Sequence, residues 1–420
     1  MKQEDSRKRD DEQTSFFYGY VIVFACFIIM VLAFGINYSF GIFFKPLLAQ
    51  FDWTRAATSA AYSLMTLVSG FLGIFAGRLS DAFGPKIIGI LAGVFLSSGL
   101  LLLSQTQNLF HFYLFYGVLI AAGIGGCWPG LLPAVAKWFV KRRGLMTGIV
   151  TSGIGFGTLT IPPLAEWLIS MYTWRTSYIV IGILTLVIVI SVSLFLKADP
   201  RDVDSLPFGG NKAVEENEHP PLVGATFSEA LKTHQFWRLG AIYFGYGYCL
   251  HTIMVHLSPH VQDMGFTSTD AALVLALIGL PNTIARIIVG ISSDRFGVKP
   301  TLIVVLLIML ISLLWIQVAR GLGMLYLFAV IFGIGSGGII ALQSLATAES
   351  FGLRSLGVIL GTITFIYTTG GATGALFSGF IFDLMGSYSP AFWITVAFAL
   401  LSLMLTQLLK GPPSTYEPGN

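Results

Sequence analysis

Twelve apolar stretches follow one another along the chain. They lie at roughly 17–44, 55–77, 85–105, 110–136, 144–170, 174–196, 235–262, 268–292, 299–319, 323–348, 355–382 and 388–409. Each is about 20–28 residues long, enough for a helix to cross a hydrocarbon core of about 30 Å. In lipid a spanning segment must satisfy its own backbone N–H and C=O groups, so each stretch is read as a transmembrane helix. Composition agrees: 11% of the residues are charged, against about 25% in soluble domains, and the mean hydropathy is +0.79. The expected fold class is an all-α, polytopic membrane protein of twelve helices. Its first large partner is the lipid bilayer.

The first apolar run opens at Phe16, behind the charged segment MKQEDSRKRDDEQ. No small-residue cleavage site follows a short apolar core, so a retained first span is expected. The three cysteines, Cys26, Cys127 and Cys249, all fall inside spans and suggest neither a disulfide framework nor a metal cluster. A net charge of +3 does not call for a nucleic acid. The basic residues are instead segregated. With twelve spans both termini share a side, and that side collects nineteen of the 24 Lys and Arg residues. The opposite side keeps four: Lys45, Arg55, Arg175 and Arg320. By the positive-inside rule both termini are expected to be cytoplasmic, in the inner (cytoplasmic) membrane of a cell. One basic residue belongs to neither side, Arg286.

A polar stretch at 198–233, rich in charge, Pro and Gly, separates spans six and seven and reads as a cytoplasmic linker. The expected organisation is a tail (1–16), a six-helix bundle (17–197), this linker, a second six-helix bundle (234–410) and a short tail (411–420). The two bundles repeat one another. GRLSDAFGPK, from Gly77 to Lys86, matches GISSDRFGVK, from Gly290 to Lys299, at an offset of 213 positions. The same offset carries Gly125 onto Gly338, Gly144 onto Gly357 and Gly148 onto Gly361. A parallel duplication about an axis along the membrane normal is one plan of secondary transporters. Small residues recur in spans five (Gly148, Ser152, Gly153, Gly157) and eleven (Gly361, Gly370, Gly371, Gly374). They permit tight helix packing, and a rocking interface would need the same feature.

The doubled turn resembles the loop signature of the major facilitator superfamily. Two further stretches resemble its monocarboxylate transporter family, and bacterial members in particular: KWFVKRRGLMTGIVTSGIGFG, from Lys137 to Gly157, and FFYGYVIV with SFGIFFKPLLAQFDWTRAATS in spans one and two. Similar segments occur in oxalate/formate-type antiporters. The resemblance implies the major facilitator fold, with two pseudo-symmetric six-helix bundles. It also implies that Asp81, Asp294, Arg295, Lys141 and Arg142 form a gate on the cytoplasmic side.

Arg286 lies eight residues before Asp294, about 12 Å along a helix, and so near the membrane midplane. A charge there is by default a functional-site hypothesis. The acids in the spans lie elsewhere: Glu166 and Asp383 near outer ends, Glu349 near an inner end. An arginine with no internal counter-ion can be completed by a mobile anion, and its planar fork suits a carboxylate. Asn282 is one turn earlier on the same face. In animal monocarboxylate transporters the matching position holds an aspartate taken to exchange a proton, and the family's first-span lysine stands where this chain has Tyr38. Oxalate/formate-type antiporters carry a lysine after a Tyr-Thr pair in span eleven; here Tyr367 and Thr368 lead into Thr369 and Gly370. One buried cation balances one carboxylate, which favours a monocarboxylate.

The expected substrate site is Arg286, Asn282, Tyr38, Asn37 and Tyr367. Cys127 joins it where relatives often have an aromatic, and Gly337, Gly338, Ala341 and Gly370 make the second wall small. His251, the deepest of three span-seven histidines, is a candidate proton carrier; His256 and His260 read as interfacial. The chain is therefore expected to carry a small monocarboxylate such as lactate or pyruvate together with a proton, as a functional monomer. Anion exchange without a proton is the alternative. The spans hold no nucleophile–base pair or metal cluster at useful spacing, so neither an enzyme, a cofactor nor a metal is expected. The short linker argues against a receptor, and a carrier of cationic drugs would want an acid where Arg286 stands.

Overall fold

The computed structural model describes residues 17–139, 142–203, 208, 224–352 and 354–409. Both tails, most of the linker and Lys141 lie outside these. Among the described residues there are twelve long helices, in the places the hydropathy pattern predicts. Span one runs Gly19–Tyr38 and continues as Phe40–Phe51; spans two to six are Arg55–Phe83, Pro85–Leu103, Leu109–Trp138, Arg143–Met171 and Trp174–Ser193. Spans seven to twelve are His234–Asp263, Ser268–Phe296, Val298–Val318, Leu322–Phe351, Leu356–Met385 and Ser389–Gln407. Eleven are long and apolar enough to cross a membrane by length and composition. Span seven is the exception, because it carries tyrosines and histidines. These are spent inside the protein: Tyr243, Tyr246, Tyr248, His251 and His256 are all buried.

Local chemistry sets the helix boundaries. Thr54, Thr173 and Thr233 each accept a bond from a backbone N–H three residues on, the arrangement that satisfies a helix's first orphan donors. Thr267 and Asp270 form a reciprocal capping box at the start of span eight. The duplicated turn is built the same way twice. Spans two and three meet at Gly84 (φ 81°, ψ 165°), and spans eight and nine at Gly297 (φ 89°, ψ 160°). Only glycine takes such a φ without strain, so the shared Phe-Gly pair has a backbone reason.

The repeat extends into the linker. Phe208 N donates to Trp138 O (2.9 Å), and Ala225 N to Phe351 O (2.8 Å). Phe139 and Gly352, the paired bridge positions, are themselves 213 residues apart, so each end of the linker docks on the same place in one bundle. The 3₁₀ turn Pro200–Val203 and the short helix Phe227–Leu231 flank it.

Span two packs along span eleven and span five along span eight, which joins the bundles. Spans five and eight touch backbone to backbone near mid-depth, where a Cβ on Gly155 would lie 2.5 Å from the Gly279 carbonyl. Toward the side that carries the termini the bundles part. A Cβ at Gly144, Gly148, Gly290, Gly357 or Gly361 would meet nothing within 4 Å. The small residues of spans five and eleven therefore divide into two uses. Gly153, Gly370 and Gly374 pack against neighbouring backbones, whereas those near the termini line open space. The molecule is closed on the side away from its termini, the far side, and splayed on the terminal side.

Candidate functional site

Span eight is where the sequence departs from a regular helix. It runs as Ser268–Leu277 and resumes as Gly279–Phe296, with Pro281 just past the break. Proline has no N–H to give the carbonyl four residues back, so the helix yields there. Interrupted helices that line a cavity are a recurring way to build a midplane site. One residue beyond Pro281 stands Asn282, and one turn further Arg286.

Arg286 is 8% exposed and Asn282 the same. The Arg286 Nε donates to Asn282 Oδ1 (3.0 Å), and Asn282 Nδ2 donates to Ser336 Oγ of span ten (3.1 Å). The Tyr246 hydroxyl of span seven closes the set on the Ser336 carbonyl (2.9 Å). This chain of bonds fixes the guanidinium plane and leaves its two terminal nitrogens without a hydrogen-bond partner among the described residues. Among the described residues no carboxylate lies within 4.0 Å of it either: the two ion pairs found there both belong to Asp263. Tyr38, Tyr246 and Tyr367 surround the cation closely enough to interact electrostatically with it. Tyr246 and Tyr367 stack, centroids 5.5 Å apart.

Arg286 opens onto a narrow cleft whose free space, about 10 Å³, is room for about one water-sized group. The lining comes from both bundles. Tyr38, Ile154 and Thr158 face Tyr246, Leu250, Met254, Asn282 and Arg286, with Ile278, Gly279 and Ile340 completing the wall. Thr158 is committed to the Ile154 carbonyl (2.9 Å) and Asn282 to its two partners. The polar capacity left over is concentrated on the guanidinium and the Tyr38 hydroxyl. That arrangement presents a cation and a hydroxyl beside an aliphatic wall, in a cleft that must widen to admit an organic acid.

The structure brings together Arg286, Asn282, Tyr38 and Tyr367 as the sequence suggests. Asn37, 6% exposed, is not among the residues lining the cleft; its side chain lies toward the Tyr62 hydroxyl. Cys127 does not belong here. It is fully buried, donates to the Gly123 carbonyl of its own helix (3.2 Å), and is not among the residues lining the cleft. Gly337 and Gly338 do not enlarge the cleft either, because Asn282, Val289 and Val305 pack directly against them. His251 is buried between the Tyr62 and Tyr367 rings, its Nδ1 3.0 Å from the Gly247 carbonyl, and it too is absent from the cleft wall. His256 is not interfacial: it is 0% exposed, between the bundles. Tyr246 and Ser336 were not legible as site residues, since a tyrosine or serine in an apolar span carries no mark of what it faces.

Of the gate residues, Asp294 and Arg295 are exposed, and among the described residues neither forms an ion pair. Arg142 is exposed in a left-handed conformation (φ 65°), with its guanidinium 5.7 Å from the Phe208 ring. The side chain of Asp81 lies outside what the structure describes, as does Lys141. The closed side has its own fastening. Arg55, opening span two, donates Nη1 and Nη2 to the two oxygens of Asp263 at the end of span seven (2.7 and 3.1 Å), and Lys45 Nζ joins the same carboxylate (2.7 Å). The backbone N–H groups of Arg55 and Ala56 donate to Asp383 of span eleven (2.9 and 2.7 Å). The Arg55 guanidinium also lies 3.6 Å from the Phe382 ring centroid.

Comparison with known proteins agrees with this architecture. The sequence model of the Major Facilitator Superfamily matches residues 26–295 and 259–420. Monocarboxylate transporter 13 of Rattus norvegicus is 26% identical over 385 residues, 91% of this chain and 87% of that protein. Monocarboxylate transporter 12 of Xenopus laevis is 25% identical over 424 residues, covering 95% and 91%. A solved bacterial homologue of the human lysosomal transporter Spinster, inward-facing and unoccupied, superposes with a TM-score of 0.73 at 17% identity, over 94% of this chain and 97% of that one. Two pseudo-symmetric bundles, a doubled glycine turn and a match along almost the whole length lead to one assignment: the chain belongs to the Major Facilitator Superfamily, and within it is similar to the monocarboxylate transporters.

Proposed function

We propose that the chain is a secondary transporter of small organic monocarboxylates of the lactate and pyruvate kind, working by alternating access with a proton as co-substrate. The observation that carries this is Arg286, a buried cation whose terminal nitrogens have no hydrogen-bond partner among the described residues and which faces a cleft shared by both bundles. A carboxylate would take both nitrogens of the fork and a third bond from Tyr38, while the aliphatic wall holds its short tail. Asp81, Asp294, Arg295, Lys141 and Arg142 are proposed to meet when the terminal side closes. With both termini cytoplasmic, as the distribution of Lys and Arg supports, the structure is an inward-open state. A single protomer contains the whole cleft, in keeping with a functional monomer.

One observation favours a second reading, anion exchange without a proton. Asn282 stands where relatives place an aspartate, and both halves of its amide are already bonded, so among the described residues no carboxylate or histidine contacts Arg286. Uptake of labelled lactate into proteoliposomes decides between them. Under proton symport an inward-acid gradient reduces uptake and an outward-acid gradient drives accumulation. Under exchange, uptake needs internal anion and ignores the gradient. No saturable uptake of any monocarboxylate in either format would overturn both.

A further inference from the structure

The far-side fastening contains a histidine that the carboxylate reading does not use. His256 is seven residues from the end of span seven, about 10 Å along the helix, and is wrapped by four elements. The Phe44 ring of span one lies 5.6 Å from its ring, and Ser59 Oγ of span two 3.5 Å from Nε2. The Ala375 carbonyl of span eleven is 2.8 Å from Nε2, and the Tyr388 hydroxyl, at the entry to span twelve, is 3.1 Å from Nδ1.

These contacts fix where the protons are. A carbonyl only accepts, so Nε2 carries hydrogen. The Tyr388 oxygen already accepts from Arg55 Nη1 (2.7 Å), and the Nδ1 lone pair is where the hydroxyl's own hydrogen goes. The ring is the neutral Nε2–H tautomer. It is wired through Tyr388 to the arginine that pairs with Asp263 across the bundles. The charged and titratable groups around it are Arg55 and Lys45 from the first bundle, Tyr388 and Asp383 from the second, and Asp263 and His260 on its own helix. Both Asp263 oxygens are held by Arg55 and Lys45, and both Asp383 oxygens by backbone N–H groups. Neither carboxylate is among the hydrogen-bond partners of the His256 ring.

We infer that His256 is a proton-operated switch in the far-side fastening: the neutral ring completes the closed arrangement, and a proton bound at Nδ1 from the far-side solution holds that side open. A proton on Nδ1 would turn the acceptor into a donor. The Tyr388 oxygen would then face two donors, Arg55 and the ring, and its own hydrogen would have no acceptor. A second cation would also stand beside Arg55 where water is excluded. When the bundles part, the ring is wetted and separated from Arg55, and the added proton costs nothing comparable. The open state thus binds the proton better, so by linkage acid shifts the population toward it, and alkali toward closure. The device is independent of which anion the cleft carries.

The test uses the full chain in lipid nanodiscs without substrate. Gln107 and Gly323 are exposed near the far side, one in each bundle, and the three native cysteines are buried. Spin labels at Gln107→Cys and Gly323→Cys report the separation of the bundles between about pH 8 and about pH 5, the range in which histidine titrates. The expected result is a longer-distance population that grows as pH falls, by at most about tenfold per pH unit in the open-to-closed ratio for one proton. His256→Gln, whose amide can accept from Tyr388 and donate to Ala375 without titrating, should keep the short distance throughout. Tyr388→Phe supplies an independent arm should His256→Gln not fold: it retains Arg55–Asp263, cuts the wire, and should weaken the response, leaving only the part due to the Arg55 cation. The inference is overturned by a pH response that survives intact in either variant, or by no response in the parent protein. Lactate uptake is read separately, so loss of the switch and loss of the carboxylate reading remain distinguishable.

Discussion

A guanidinium buried near mid-membrane is tolerable only if its donors are met. Arg286 has its Nε–H met by Asn282, while the four N–H donors of its two terminal nitrogens have no partner among the described residues, so its geometry is that of an unfinished ion pair. Arg286→Lys keeps the charge but loses the planar fork; substrate affinity should fall about tenfold or more, about 1.4 kcal/mol, in a binding titration. Asn282→Asp tests the neighbour. A carboxylate there would satisfy Arg286 from within, so lactate affinity at neutral pH should drop by about tenfold and recover as acid protonates the new side chain. An unchanged, pH-independent affinity would show that Asn282 does not control the cation. Arg286 and Asn282 were legible in the sequence because one basic residue remained after the loops were counted. Tyr246 and Ser336 were not, and Cys127 was misplaced, because facing direction inside an apolar helix depends on packing that composition does not record.

At the scale of the helices, the spans were legible because hydrophobic length and the two Phe-Gly turns act locally. Span seven shows the limit. Its tyrosines and histidines lower its hydropathy, yet it is among the most enclosed helices, with Tyr246 and His256 bonded to spans two, ten and eleven. Glycine is the same residue with two jobs, which the sequence alone does not separate. Gly155 meets span eight backbone to backbone, whereas Gly148 and Gly361 face open space. Gly155→Val should therefore cost about 1–3 kcal/mol through overpacking and lower the thermal unfolding temperature, while Gly148→Ala should change stability by no more than about 0.5 kcal/mol. Parallel thermal melts of the two variants in detergent check this, and equal losses would contradict the assignment of the crossing point.

The whole molecule is held shut on one side by groups more than 200 residues apart, which no local pattern announces: Arg55 with Asp263, Asp383 with the first N–H groups of span two. Asp263 is the common acceptor for two cations, so Asp263→Asn should loosen the far side more than Lys45→Ala, which leaves the Arg55 fork intact. Ser63 is buried beneath the fastening and bonded across the bundles to the Ala372 carbonyl (2.6 Å). The reaction of Ser63→Cys with a membrane-impermeant thiol reagent, at fixed pH, should be fastest with Asp263→Asn and intermediate with Lys45→Ala. The reverse order would shift the weight to Lys45. The duplicated fold, its closed far side and its open terminal side all converge on one cation between the bundles, and the central claim is that a substrate carboxylate completes it. Uptake of labelled lactate by Arg286→Ala in proteoliposomes tests that claim most directly. Removing the cation should cost about 2–5 kcal/mol of substrate binding, roughly 30-fold to several-thousand-fold, and abolish saturable uptake while leaving the protein folded; lactate uptake at the parent rate would contradict the account.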